Sequence, residues 1–161
     1  MKQHSHAKEM AAYRAKLADI VKRHGWAVQH VMTTPPLSYT VGLHAKGLPE
    51  LVSVGLEGST AQTVLNQVAR RLIEGELTLV EGKDYDTIFN GFMARFRQVP
   101  SVQVHRSLKV AMSMANGETP IAWQLTFPDP SGKFEGEPGF EGRFGPMQSI
   151  ELAMGPTDLD S

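Results

Sequence analysis

Ser38-Tyr-Thr-Val-Gly-Leu-His44, Ala45-Lys-Gly-Leu-Pro49 and Glu50-Leu-Val-Ser-Val-Gly-Leu56 follow one another without a gap, and they read as strand, tight turn and strand. Tyr39, Val41 and Leu43 alternate with Ser38, Thr40, Gly42 and His44, the period of a half-buried strand. Val52, Val54 and Leu56 alternate with Leu51, Ser53 and Gly55 in the second run. The connection holds Gly47 and Pro49, the usual punctuation of a hairpin loop.

Upstream, Met10, Tyr13, Leu17, Ile20 and Val21 recur at spacings of three and four, predicting an amphipathic helix over about 7–24 that Gly25 ends. Trp26 to Thr33 then reads as a strand, closed by Pro35-Pro36. Downstream, Ser59 and Gln62 fit a capping box at the start of a second helix. Its buried face is Ala61, Val64, Leu65, Val68, Leu72 and Ile73, and Gly75 stops it. Residues 77–82 are a short strand candidate, and Phe92-Met-Ala-Arg-Phe-Arg97 alternates apolar with polar. A third helix is predicted from Pro100-Ser101 to about Ala115, ended by Asn116-Gly117. The clearest strand follows, with Ile121, Trp123, Leu125 and Phe127 expected inward and Ala122, Gln124 and Thr126 outward. Beyond the turn cluster Pro128-Asp-Pro-Ser-Gly-Lys133, the chain is rich in Gly, Pro and Glu, with Phe134, Phe140 and Phe144 as expected anchors and a weak closing segment over 148–152. Three helices and five to seven strands, several adjacent in sequence, predict α+β with a largely antiparallel sheet. One domain is expected over 1–154, with a frayed tail over 155–161.

The 161 residues are 41% hydrophobic and 20% charged, the balance of an ordinary globular domain with a core of its own. There is no cysteine, which excludes disulfides and thiolate chemistry, and no apolar run long enough for a bilayer, so the expected location is the cytoplasm and no membrane is expected as partner. A net charge of −1 argues against capture of nucleic acid, although residues 1–24 carry six Lys/Arg against two Asp/Glu and residues 129–161 carry two against seven. The apolar content is compatible with a homodimer.

Tyr39-Thr-Val-Gly-Leu43 followed by Gly47-Leu-Pro-Glu-Leu51 resembles the opening signature of a bacterial family, a domain of unknown function numbered four-two-six-two. The similarity runs from Gly25-Trp26 to Gln124…Asp129-x-x-Gly132. Where such proteins tend to show Pro-Trp-Glu-Pro-Gly, this chain has Glu135-Gly-Glu-Pro-Gly139. The resemblance implies a fold and no established activity.

No GxxxxGK[ST], HExxH or GxSxG motif is present. Two candidate sites remain. One is the strand-to-helix junction Glu57-Gly58-Ser59-Thr60, where open backbone N–H groups suit an anion and Ser59 would sit beside it; Glu57 counts against this. The other is the polar face of the sheet, where pleating is expected to gather Thr40, His44, Ser53, Arg95, Arg97, Gln124 and Thr126, with Gly42 and Gly55 marking a close approach by a ligand or another stretch of backbone. His44 and His105 are candidates for acid–base work but have no carboxylate at helix spacing; His4 and His6 read as part of a floppy terminus, and no metal site is expected. Gln124 and Asp129 are expected to hold their turn. No cofactor is identified. The resulting expectation is a binding module for a small polar or anionic molecule, a nucleotide among the candidates. The alternatives are a flavin-handling enzyme of split-barrel type, and an interaction or inhibitor module working through the basic first helix or the aromatic tail.

Overall fold

The computed structural model describes residues 2–153, with side chains from Ser5 onward. Helix α1 (Lys2–His24) leads into strand β1 (Ala27–Val31), β2 (Leu37–Val41), a single 3-10 turn at 44–46, and β3 (Glu50–Val54). Helix α2 (Gly58–Ile73) follows, then β4 (Arg95–Gln98), α3 (Ser101–Ser107), α4 (Lys109–Ser113) and β5 (Ala122–Thr126), with two further 3-10 turns at 142–144 and 146–148. The five strands form one sheet in the order β1-β2-β3-β5-β4. Only β3 and β5 run parallel; the other pairs are antiparallel. The predicted α+β class with a largely antiparallel sheet is what forms.

The expected half-burial does not hold. Every residue of β2 and β3 is buried, because both faces of the sheet are covered. On one face Leu51, Phe96 and Leu125 pack under α2, against Val64, Leu65, Val68 and Leu72. On the other, Leu37, Tyr39, Val41, Val52, Val54 and Ala122 pack under α3 and α4, against Val104, Leu108 and Ala111, with Ile150 and Ala153 closing the layer. Ala122 and Gln124, expected outward, are therefore buried, while Ile121 lies outside the strand and is exposed.

Several local expectations shift for identifiable reasons. The third helix breaks at Leu108, whose φ of −106° and ψ of 53° are not helical, leaving α3 and α4 as separate short pieces. Residues 77–82 form no strand: the Tyr85 hydroxyl donates to the Thr78 carbonyl at 2.6 Å and accepts from the Val80 N–H at 2.8 Å, and the only pairing there is a bridge from Glu81 to Phe96. Strand β4 begins at Arg95; Ala94 and Phe96 are buried, while Phe92 is largely exposed and stacks on Phe89 at 4.7 Å. The capping box does not form, since α2 starts at Gly58 and Ser59 bonds to Glu57 instead. Ile73, placed on the buried face of α2, is exposed. The segment after β5 makes 3-10 turns and no closing strand. The tail expected after residue 154 lies outside the described residues.

Glu50 organises the β2–β3 connection. Its side chain, 1% exposed, accepts on Oε1 from the Thr40 hydroxyl (2.8 Å) and the Leu43 N–H (3.2 Å), and on Oε2 from the N–H groups of Gly42 (3.0 Å) and His44 (3.2 Å). Thr40 in turn accepts from the Leu51 N–H. The carboxylate thus satisfies backbone donors that the turn would leave bare in a dry environment. Burial raises its pKa above the usual 4.5, and the bonds from Thr40, His44, Gly42 and Leu43 hold part of that rise back.

The two glycines expected inside strands lie just past the ends of β2 and β3, and both are explained by neighbouring chain. A Cβ on Gly55 (φ +97°) would lie 2.3 Å from the Met147 carbonyl oxygen, and one on Gly42 (φ +112°) would lie 2.7 Å from Val21. Two stability measurements check these accounts. Gly55→Ala is expected to lose about 2 kcal/mol or more in urea unfolding, through a backbone clash added to left-handed strain. Gly47→Ala, with φ +76° but nothing within 4 Å, is expected to lose only about 1 kcal/mol. Glu50→Gln keeps the size but turns an NH2 group toward the N–H groups of Gly42 and His44; a loss of about 2 kcal/mol is expected in the same assay.

Candidate functional site

The sheet divides the polar residues selected from the sequence. Thr40 and Ser53 lie on the α2 face, and Thr40 is fully engaged by Glu50 and Leu51. His44 sits on the turn between β2 and β3, its Nε2 3.1 Å from Glu118. Ser59 is exposed at the start of α2, with its hydroxyl donated to Glu57, so a carboxylate occupies the place an anion would take. Arg95, Arg97, Gln124 and Thr126 do come together, on the opposite face: the β4–β5 register sets Arg95 beside Thr126 and Arg97 beside Gln124. Of these eight residues four converge; Thr40, His44, Ser53 and Ser59 do not join them.

Within that group the two arginines differ. Arg95 is taken up structurally: it donates to Asp84 at 2.5 Å, lies 3.6 Å from Glu137, and stacks over the Phe134 ring at 4.2 Å. Phe134 is thereby the buried anchor that the tail was expected to supply. Arg97 is held more loosely. Its Nη2 reaches the Gln148 carbonyl at 3.2 Å and Gln124 Oε1 at 3.4 Å, and its Nη1 is 3.7 Å from Glu135. Arg97 and Glu135 both line two clefts, one of about 420 Å³ and one of about 220 Å³.

The larger cleft lies between β4, α3 and the 145–151 segment. Its walls include Val99, Pro100 and Ile150, and its polar groups are Arg97, Gln103, Gln124 and Ser149, with Glu135 and Glu151 at the side. Gln124 is buried and spends its NH2 on the Gln148 carbonyl at 2.7 Å. Gln103 is 5% exposed and lines the cleft, so its amide opens onto it; among the described residues the buried side-chain polar atom without a partner is Ser107 Oγ. An amide open to the cleft is met by water or by a ligand that offers it a partner. Sequence reading missed Gln103 because it sits on a helix expected to pack as an apolar stripe, and its burial follows only from where α3 lands.

The far wall is built by side chains that replace a strand. Gln148 donates from Nε2 to the Phe127 carbonyl (2.8 Å) and accepts on Oε1 from the Phe127 N–H (2.9 Å), as a neighbouring strand would. Asp129 fastens the preceding loop, as expected of it. Its Oδ1 accepts from the Ser131 N–H, the Ser131 hydroxyl and the Lys133 N–H, and its Oδ2 from the Glu141 N–H, all within 2.9 Å. Burial alone would raise its pKa, but the bonds from Glu141, Ser131 and Lys133 win and hold it down at about 2.

A second concavity, of about 580 Å³, lies on the α2 side between the end of α1, β1 and α2. None of the residues selected from the sequence lines it. His105 bonds Thr119 and His44 bonds Glu118, without forming a shared acid–base site. Among the described residues no group of three or more metal-ligating side chains gathers, and no helix is long and apolar enough to cross a membrane.

Fold and clefts together define a small α+β domain with one open sheet covered on both faces. The chain belongs to the family described as Domain of unknown function (DUF4262), whose model matches residues 20–141. That span is the bulk of the chain and includes the stretches on which the resemblance was read. Neither the curated proteins nor the solved structures offer a significant match.

The Asp129 loop sets a pH window. Its folded pKa lies below the ordinary 3.8, so its contribution to stability is complete above that value and is lost as pH falls through about 2. Amide exchange by NMR is expected to show Glu141 and Ser131 losing protection across that window, with the transition absent in Asp129→Asn. Protection of Glu141 that persists well below the window would contradict this account.

Proposed function

We propose that the protein is a binding module for a small polar molecule, held in the Arg97 cleft. The observation that carries this reading is the Arg97 guanidinium, only loosely engaged by the protein, on a cleft that the Gln103 side chain also lines. Arg97 suits a carboxylate, and Gln103 suits a neighbouring oxygen or N–H group. Glu135 and Glu151 on the same cleft outnumber the one cation and repel a strongly negative ligand. A molecule carrying both charges, of the free amino-acid kind, therefore fits this cleft better than a nucleotide does. The reading brings with it a cytoplasmic location, a small-molecule partner and no nucleic acid; the composition supports these expectations. The interaction-module reading draws support from α1, whose residues 11–16 are exposed and include Arg14 and Lys16. The flavin reading finds no support in an open sheet with β1 and β4 as edges.

The test is a titration of the full chain with a panel of free amino acids, read as a rise in melting temperature that saturates. Arg97→Ala is expected to abolish the rise. Gln103→Leu removes an amide that opens onto the cleft, so its unliganded melting temperature is expected to stay about level while affinity falls about tenfold or more, roughly 1.4 kcal/mol. A residue serving only the fold would show the reverse pattern. No response to any member of the panel would remove the proposal.

A further inference from the structure

The groove on the α2 side differs in chemistry from the Arg97 cleft. It is lined by Ile20 and His24 from the last turns of α1, Trp26 just before β1, and the face of α2 that carries Gln62, Asn66 and Arg70. Among the described residues no carboxylate lines it. The three α2 residues are spaced by four, so they stand on one side of the helix and span about 12 Å along its axis at roughly 1.5 Å per residue.

Their donors are aimed by groups behind them. The Trp26 indole N–H can only donate, and it lies 2.8 Å from Asn66 Oδ1. The Asn66 carbonyl is therefore turned toward Trp26, and its NH2 is left for the groove. Gln62 Oε1 lies 3.0 Å from His30 Nε2, and His30 Nδ1 lies 2.7 Å from the buried Ser38 hydroxyl. With Ser38 donating to Nδ1, the imidazole proton sits on Nε2 and is given to Gln62, which turns that NH2 outward as well. Arg70 makes no ion pair with any described residue. The groove thus presents two oriented amide NH2 groups and an uncompensated guanidinium in a row, with no acidic acceptor to consume them. A donor row of this kind complements a chain of acceptor oxygens. Its volume lies within the roughly 300–1,000 Å³ usual for small-molecule sites.

We propose that this groove binds a phosphorylated small molecule, with a phosphate oxygen pair on Arg70 and further oxygens on the NH2 groups of Asn66 and Gln62. The sheet separates this site from the Arg97 cleft, so the two readings stand or fall independently.

Inorganic pyrophosphate serves as the probe, titrated into the full-length ¹⁵N-labelled protein at neutral pH, with citrate as the comparator. Saturable shifts are expected at the Trp26 indole N–H and along α2. Asn66→Asp is the informative variant: it keeps the oxygen that Trp26 needs and replaces the outward NH2 by a negative oxygen. Asn66→Asp and Arg70→Ala are each expected to weaken pyrophosphate at least tenfold with no loss in melting temperature, while Arg97→Ala leaves the titration unchanged. The inference is overturned if no groove resonance saturates, if both groove variants titrate like the parent protein, or if Arg97→Ala abolishes the shifts. Binding of citrate without pyrophosphate would overturn the phosphorylated class.

Discussion

Burial of β3 on both of its faces is the constraint from which the remaining architecture follows. As the central strand of five, β3 pairs antiparallel with β2 and parallel with β5. A parallel neighbour cannot be reached by a hairpin, so the chain must leave the sheet and return. In leaving and returning it lays α2 over one face and α3 and α4 over the other. Covering both faces leaves no broad polar surface on the sheet; polar chemistry is pushed to its margins. The two clefts lie at those margins, one on each side.

The polar groups at the centre are spent on the fold. Glu50 is buried because four donors converge on it, and removing it would leave backbone N–H groups dry in the turn. Gly42 and Gly55 admit α1 and the 147 segment to within distances that no side chain would allow. In the sequence these glycines were equally compatible with a ligand or another stretch of chain at close range. Three-dimensional contact decides for the chain. The same holds for Arg95, whose charge is matched by Asp84 and Glu137 and whose plane is covered by Phe134.

What is left open for recognition is distributed by charge. Among the described residues, the Arg97 cleft sets one cation with two carboxylates and the amides of Gln103 and Gln124. The α2-side groove carries cationic and amide donors and, among the described residues, no carboxylate. The two faces of one sheet thus border concavities of different charge, even though the whole chain is close to neutral.

The strands β2 and β3, their connecting turn, the core face of α2, and the Asp129 turn were legible because each rests on short-range pattern: alternation, helical spacing, and an acidic side chain that folds back on its own backbone. The convergence of Arg95, Arg97, Gln124 and Thr126 was legible in part, since strand pleating put them on one face once β4 and β5 paired. Thr40, His44, Ser53 and Ser59 did not join them, because which face a strand residue serves depends on what covers that face, and local sequence does not carry that. Gln103, Asn66 and Arg70 left no trace in the sequence for a related reason. Their availability comes from where α3, Trp26 and His30 come to rest. The sequence by itself determined the elements and the α+β class, through local periodicity and turn chemistry. The tertiary structure alone decided which polar groups were consumed and which stayed free, because hydrogen-bond satisfaction depends on contacts between segments far apart in the chain.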